Sequence, residues 1–180
     1  MEKQNKYLTE FMIDYNKHRD GVGQAMGLLT TQLELELTKE DKIELFYRQT
    51  HHDDSKLSCY EEFEGYIKLK LELDGVEYGS KEYDEIRKKY DYVISLHYKN
   101  NDHHPEHFKN GYADMTKLQK YEMICDWIGA MIARNSLDKY QESCKINKER
   151  FNIPDNEWEE LYSIIEKIIN KYKEVYEYNE

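Results

Sequence analysis

Apolar residues recur along most of this chain at the three- and four-residue spacing of amphipathic helices. The first such stripe lies in residues 3–34, and its apolar members are Tyr7, Leu8, Phe11, Met12 and Tyr15. Three glycines follow in the same stretch: Gly21, Gly23 and Gly27. They indicate either a break between two helices or a close contact with another helix.

The same spacing predicts further helices over residues 39–52, 59–72, 80–98, 115–134, 136–151 and 154–176. Thr38 is a suitable N-cap, because acidic residues follow it in the first turn of the helix. Residues 74–80 predict a turn, and the Asn, Asp, Pro and Gly content of residues 100–111 predicts a loop. No stretch alternates in the manner of a strand. The predicted fold class is all-α, a single domain over residues 1–180 with six to seven helices.

Composition agrees with a helical domain and narrows the choice of partners. With 180 residues, 2 prolines and 8 glycines, the chain suits one helical domain. Its formal charge of −11 argues against binding to duplex nucleic acid or to an anionic membrane surface. No segment approaches the roughly 20 apolar residues of a membrane span, and the N-terminus has no apolar core of a signal peptide. A phosphate-bearing ligand would therefore need a local positive charge, which bound metal could supply.

The three cysteines, Cys59, Cys125 and Cys144, are odd in number and form no C-x-x-C pair. They predict a reducing, cytoplasmic environment and argue against a structural zinc site. The Lys-, Asn-, Ile- and Tyr-rich composition is typical of an AT-rich genome and is compatible with a phage protein working in the host cytoplasm.

The residues that could carry chemistry include the stretch HHDDSK at residues 51–56 and the other histidines of the chain. All seven histidines lie at or before residue 107, namely His18, His51, His52, His97, His103, His104 and His107. Neutral imidazole is the commonest metal-binding side chain, although a loop cluster of this kind is also typical of solvated residues. Asp126 lies in the otherwise uncharged segment MICDWIGAMIA, where burial is costly without a cation or a hydrogen-bonding partner.

Nitrogen and oxygen ligands therefore follow one another on separate predicted elements. In chain order they are His18, His52, Asp53, His97, His103, His104 and Asp126. A mixed imidazole and carboxylate set favours Mn, Fe, Co, Ni or Zn over Ca. Taken singly, Asp126 could instead face an arginine or a helix end, and His97 could be a hydrogen-bonded core residue.

This series resembles the H…HD…D signature of the HD superfamily of metal-dependent phosphohydrolases. The segment HDDSK resembles the extended H-D-x-x-K form, and the second histidine group resembles that of the binuclear HD-GYP phosphodiesterases, although it reads HHPE and the G-Y-P segment is lacking. A closer resemblance is to a poorly characterised HD-related family of small phage and bacterial proteins. The matching segments are HDDSKLSCYE, HYKNNDHHPE and EMICDW.

The resemblance implies an HD-type helical domain with two divalent transition-metal ions. One ion would be held by His18, His52, Asp53 and Asp126. Asp53 would bridge to a second ion held by His97, His103 and His104. Asp14, one turn before His18, would be an additional ligand unless it is an ordinary exposed aspartate.

The resemblance also implies roles around the ions. Lys56 would contact a phosphate oxygen, and Asp54 would move a proton or else cap a turn. Arg48 would bind the substrate phosphate or pair with a structural carboxylate. Glu61 or Glu62 would orient a ligand. His51 and His107 receive no role.

The expected function is hydrolysis of a small phosphorylated molecule, in particular a nucleotide monoester or phosphodiester, by a hydroxide activated between two metal ions. One alternative is a di-iron oxygenase built on the same ligands. Another is an HD module that binds a nucleotide or a protein without catalysis. Residues 115–134 and 155–177 could offer an apolar face to a second copy of the chain, but burial in the core explains them equally well.

Overall fold

The computed structural model describes residues 2–77 and 80–177, and within these ranges it contains helices, turns and loops but no strand. The α-helices are α1 (Glu2–Gln32), α2 (Lys39–His51), α3 (Ser55–Ser58), α4 (Tyr60–Glu72), α5 (Lys81–Lys89), α6 (Asp91–Asn100), α7 (Lys117–Ala133), α8 (Tyr140–Arg150) and α9 (Asp155–Tyr172). Short 3-10 helices cover Pro105–His107, Gly111–Asp114 and Leu137–Lys139, and a π-helical segment, Lys173–Glu177, follows α9. The predicted all-α class is confirmed.

Three details differ from the helical pattern expected from sequence. Nine α-helices are described where six to seven are expected, and one of them, α3, lies outside the predicted helical ranges. The predicted helix at 80–98 is two helices, because the backbone of Tyr90 leaves the helical conformation at φ −104° and ψ 14°. The ring of Tyr90 is buried there, and its hydroxyl donates a hydrogen bond to Glu72. Residues 100–111, predicted as a loop, also include a 3-10 turn. Residues 78 and 79 of the predicted turn lie outside the described residues.

The predicted cap of α2 is confirmed in detail. The Thr38 side chain accepts a hydrogen bond from the backbone N–H of Asp41, and the Asp41 carboxylate accepts one from the backbone N–H of Thr38. This reciprocal pair satisfies backbone donors at the start of the helix. It fixes the beginning of the helix whose other end leads directly into His52 and Asp53.

The main core lies between α1, α7 and α9. The inner face of α9 is a buried stripe of Leu161, Ile164, Ile165, Ile168 and Ile169. Ten residues of α7 are buried, which makes it the most enclosed helix among those described. The apolar faces at 115–134 and 155–177 therefore pack mainly inside the chain, and core burial accounts for them.

Helices α1 and α7 touch through their backbones at two glycines. A Cβ atom on Gly21 would lie 2.7 Å from the carbonyl oxygen of Gly129, and one on Gly129 would lie 2.5 Å from the backbone nitrogen of Val22. Of the two alternatives for the glycines of α1, close helix contact is correct for Gly21, and α1 runs through all three without a break. Gly21 lies one turn after His18, and Gly129 one turn after Asp126.

Two observations concern the cysteines and the possibility of a membrane span. All three cysteines are free, with Cys125 and Cys144 buried. Within the described ranges, no helix combines the length and the apolar character needed to cross a membrane.

We expect Gly129→Ala to lower the free energy of unfolding by about 2 kcal/mol, since the new methyl group would overlap the α1 backbone and outweigh the better helix propensity of alanine. Urea unfolding followed by circular dichroism measures the change. Gly27→Ala is the matched control, because no atom lies within 4 Å of its added Cβ, and it should gain up to about 1 kcal/mol. Equal stability of the two variants would contradict this account of the contact.

Candidate metal centre

The centre is built around a sharp turn that follows α2. The helix ends at His51, His52 is extended, and Asp53 has a left-handed backbone with φ 60°. Aspartate tolerates this conformation better than most residues with a Cβ. The turn buries the side chains of both His52 and Asp53. The short helix α3 follows, and the backbone N–H of Lys56 in it donates to the carbonyl oxygen of Asp53.

One group of ligand atoms combines His18 of α1, His52 and Asp126 of α7. The Nε2 atom of His18 lies 3.2 Å from Nε2 of His52 and 3.0 Å from Oδ1 of Asp126. The His52 Nε2 atom lies 3.4 Å from the same aspartate oxygen. Three separate elements therefore direct one atom each to a single point. We call this set the first group.

A second group combines Asp53 with His97, His103 and His104. His97 comes from the last turn of α6, and the other two histidines come from the loop that follows. The Nε2 atoms of His97 and His104 are 2.9 Å apart. The Nε2 atoms of His97 and His103 lie 3.3 Å and 3.6 Å from Oδ1 of Asp53.

Asp53 lies between the two groups and turns one oxygen toward each. Its Oδ2 atom is 3.3 Å from Nε2 of His18 and 3.7 Å from Nε2 of His52, whereas Oδ1 faces the second group. Neither Oδ1 of Asp53 nor Nε2 of His103 has a hydrogen-bond partner, although both atoms are buried. Unpaired polar atoms are costly in a protein interior unless they bind something.

The spacing of these atoms fits metal ions. A tetrahedral ion with bonds of about 2.0–2.1 Å to nitrogen or oxygen separates its ligand atoms by about 3.3 Å. The distances given above within the two groups, from 2.9 to 3.6 Å, bracket that value. The residues thus suit one ion in each group with the Asp53 carboxylate between them. They offer oxygen and nitrogen atoms only, a mixed set that suits Mn, Fe, Co, Ni or Zn.

Carboxylates behind the histidines hold the imidazole rings in place. The Nδ1 atom of His52 is 2.9 Å from Oε1 of Glu122, and that of His103 is 3.3 Å from the same oxygen. The Nδ1 atom of His97 is 2.7 Å from Oε1 of Glu62. An ionised carboxylate can only accept, so Nδ1 of His52 and Nδ1 of His97 each carry a proton, and Nε2 of these two rings faces the centre.

The electrostatics of the centre favour positive charge. Burial acts to lower the pKa of His52, but the carboxylates of Asp53, Asp126 and Glu122 outweigh burial and raise that pKa to about 10. Burial and the adjacent His52 lower the pKa of His103 to about 4. Burial would raise the pKa of Asp126, yet His18 and His52 hold it well below its usual range. The carboxylates therefore remain charged and attract cations.

Lys56 lies at the edge of the same centre, as predicted. Its Nζ atom donates to Oδ2 of Asp53 at 2.5 Å and sits 5.6 Å from the ring centre of Tyr66. The side chain is largely enclosed, with 19% of its surface exposed. Its predicted contact with phosphate stays a prediction.

The structure corrects the prediction that Arg48 binds the substrate phosphate. Its guanidinium donates to both oxygens of Asp102, to Glu122 and to Glu44. These carboxylates occupy its donors and hold it against the outer side of His52 and His103. Of the two alternatives for Arg48, the structural carboxylate is the correct one, and a substrate contact is not supported.

The prediction of Asp14 as an additional metal ligand is also corrected. Its side chain is 65% exposed and pairs with Lys70 of α4, so it is an exposed helix aspartate outside the ligand groups. Asp54 likewise does not join the cluster, because its carboxylate pairs with Arg19 at 3.0 Å. Its predicted role in proton transfer stays a prediction, and the alternative of a side-chain cap is not observed.

The contacts made by Glu62, His51 and His107 show where the remaining polar residues considered in the sequence lie. Of Glu61 and Glu62, it is Glu62 that contacts a histidine of the second group, since it is buried against His97. His51 stacks on Tyr47 at the surface, and His107 bonds to the carbonyl oxygen of Tyr98. Both remain outside the ligand groups.

Sequence reasoning gave no role to Glu122. It is the first residue of the quoted segment EMICDW and lies one turn before Asp126 on α7. That four-residue spacing places both carboxylates on one helix face, which was an available signal.

The fold and the site define a helical protein with a buried histidine and carboxylate cluster of metal-binding geometry. Over residues 8–172 the chain matches the family described as "Family of unknown function (DUF5662)", and it belongs to that family. No curated protein and no solved structure matches the chain. The resemblance to HD phosphohydrolases therefore stays a proposal.

We expect Arg48→Met to lower the free energy of unfolding by about 3 kcal/mol, because it would remove the guanidinium from the buried carboxylate of Glu122. Urea unfolding measures the effect. Glu44→Ala removes only the half-exposed partner of Arg48 on the same helix and should change stability by a few tenths of a kcal/mol. An Arg48→Met chain as stable as wild type would show that the arginine does not serve this structural role.

Proposed function

We propose that this protein is a metal-dependent phosphohydrolase acting on a small phosphorylated molecule, specifically a nucleotide as a monoester or a diester. The observation that carries the proposal is the position of Asp53. Its two oxygens face two separate histidine groups, and one of these oxygens is buried without a hydrogen-bond partner. A shared carboxylate of this kind suits two cations held close together.

The ligands would divide as the two groups do. His18, His52 and Asp126 would hold one divalent transition-metal ion, Mn, Fe, Co, Ni or Zn. His97, His103 and His104 would hold the other, and Asp53 would contribute to both. When bound, such a pair supplies an activated water and neutralises charge on a phosphoryl group.

Lys56 would recognise the phosphate itself. A lysine amine is a compact positive charge with three donors and suits a non-bridging phosphate oxygen. Its contact with Oδ2 of Asp53 places it beside the oxygen that faces the first group. The same contact would keep the amine oriented until a substrate arrives. Asp54 remains a candidate for proton transfer at the outer side of the turn.

The three free cysteines, two of them buried, support a reducing compartment such as the cytoplasm.

The metal requirement is tested by mass spectrometry of the purified protein. We expect about two transition-metal ions per chain in the wild type, as a bimetal centre requires. Asp53→Gly should lose them, since glycine keeps the left-handed backbone but has no carboxylate. Asp14→Ala, which alters the exposed aspartate paired with Lys70, should retain them. Metal-free wild-type protein, after growth with added Mn or Fe, would overturn the proposed function.

The hydrolytic step is tested by phosphate release from nucleoside monophosphates and by cleavage of phosphodiesters, with Mn²⁺ supplied. We expect Lys56→Gln to reduce kcat/KM by about 10²-fold, because it removes the cation at the phosphate. Lys70→Gln is the control, since this lysine pairs with Asp14 outside the ligand groups.

The alternatives give distinct results in the same experiments. A chain that binds iron, consumes oxygen and releases no phosphate would be an oxygenase. A chain that binds nucleotide without turnover, and continues to do so after Asp53→Gly, would be a binding module. Either result would replace the hydrolase proposal.

A further inference from the structure

We propose that Glu122 is a positioning residue shared by both metal-binding groups, so that one carboxylate controls the affinity of both. This inference rests on the proposed metal centre and assigns to it a residue outside the first and second groups. Glu122 also forms a third possible ligand group with His52 and His103, but the contact of its Oε1 atom with Nδ1 of His52 leaves Nε2 of that ring free to face the first group. It concerns how the two groups are held, not which bond is broken.

The geometry of Glu122 is unlike that of the other carboxylates at the centre. Its Oε1 atom receives Nδ1–H of His52, which belongs to the first group, and lies 3.3 Å from Nδ1 of His103, which belongs to the second. The two rings lie close together, with centroids 4.4 Å apart. A rotation of this one carboxylate would therefore disturb a ligand of each group.

The other oxygen of Glu122 is held rigidly. Oε2 accepts from Nη1 of Arg48, and the same guanidinium holds Asp102, the residue immediately before His103. Gln119 of α7 also donates to Asp102. The end of α2, the histidine loop and α7 are thus joined through Glu122 and Arg48. Glu122 is buried, so water does not compete for these bonds.

Glu62 provides an internal comparison. It is equally buried, and among the histidines it contacts only His97 of the second group. Its other contacts are to Ser55 and Asn100, which are not in the ligand groups. A change at Glu62 should therefore affect one group, whereas a change at Glu122 should affect both. Loss of a carboxylate behind a metal-binding histidine typically weakens metal affinity 10- to 100-fold.

The test uses chains in which only one group remains. His104→Ala disables the second group, and His18→Ala disables the first. Glu122→Gln and Glu62→Gln are each added to both backgrounds. Co²⁺ titration followed by visible absorption then gives the affinity of the remaining group. We expect Glu122→Gln to weaken Co²⁺ binding about 10- to 100-fold in both backgrounds, and Glu62→Gln to do so only where the second group remains.

The pattern across the four double variants distinguishes positioning from a general loss of structure. Each variant is first compared with its parent by circular dichroism and thermal unfolding in the presence of a chelator. Glu122→Asp, which keeps the charge, should recover part of the affinity lost in Glu122→Gln. Weakening by Glu122→Gln in only one background, or in neither, would overturn the shared role while leaving the metal centre intact. Wild-type protein that takes up no Co²⁺ would overturn both this inference and the proposed function.

Discussion

The close approach of α1 and α7 is the constraint on which the rest of the structure depends. Two helices can bring their backbones together only where side chains are absent, and Gly21 and Gly129 meet at that point. His18 and Asp126 lie one turn before these glycines, and their side-chain atoms are 3.0 Å apart. The contact therefore determines both the packing of the core and the separation of two members of the first group.

A second constraint is the concentration of charge inside the bundle. Carboxylates at Asp53, Glu62 and Glu122 are almost fully enclosed. Each isolated charge of this kind would be strongly unfavourable, but imidazoles and the guanidinium of Arg48 surround them. The arrangement has two layers: ligand atoms face the centre, and Glu62 and Glu122 hold the rings from behind. This layering explains why the donors of Arg48, although close to the centre, are occupied by carboxylates of the protein.

The helical class and most ligands could be predicted because both leave local signals. Helix spacing and the Thr38 cap depend on residues that are near one another in the sequence. The adjacent His52 and Asp53, and the adjacent His103 and His104, are visible in the sequence as pairs of metal-binding residue types. The break at Tyr90 could not be predicted, because it depends on a contact with Glu72 in another helix. The role of Arg48 was open for the same reason: only the fold shows that Asp102 and Glu122 reach it. Asp14 was misassigned because helix spacing alone does not say which neighbour, here Lys70, is nearer.

The wide spacing of the ligands along the chain has a consequence for folding. His18 and Asp126 are separated by more than a hundred residues, and the ligands between them come from the end of α2, from α6 and from a loop. Contacts of such long range form only after a large loss of chain entropy. In the proposed centre, a metal ion would find its complete set of ligands only once the helical bundle has formed. It would then stabilise a fold that is already complete and would not initiate folding. Release of the ion would then loosen the α2 turn and the histidine loop before the helices of the core.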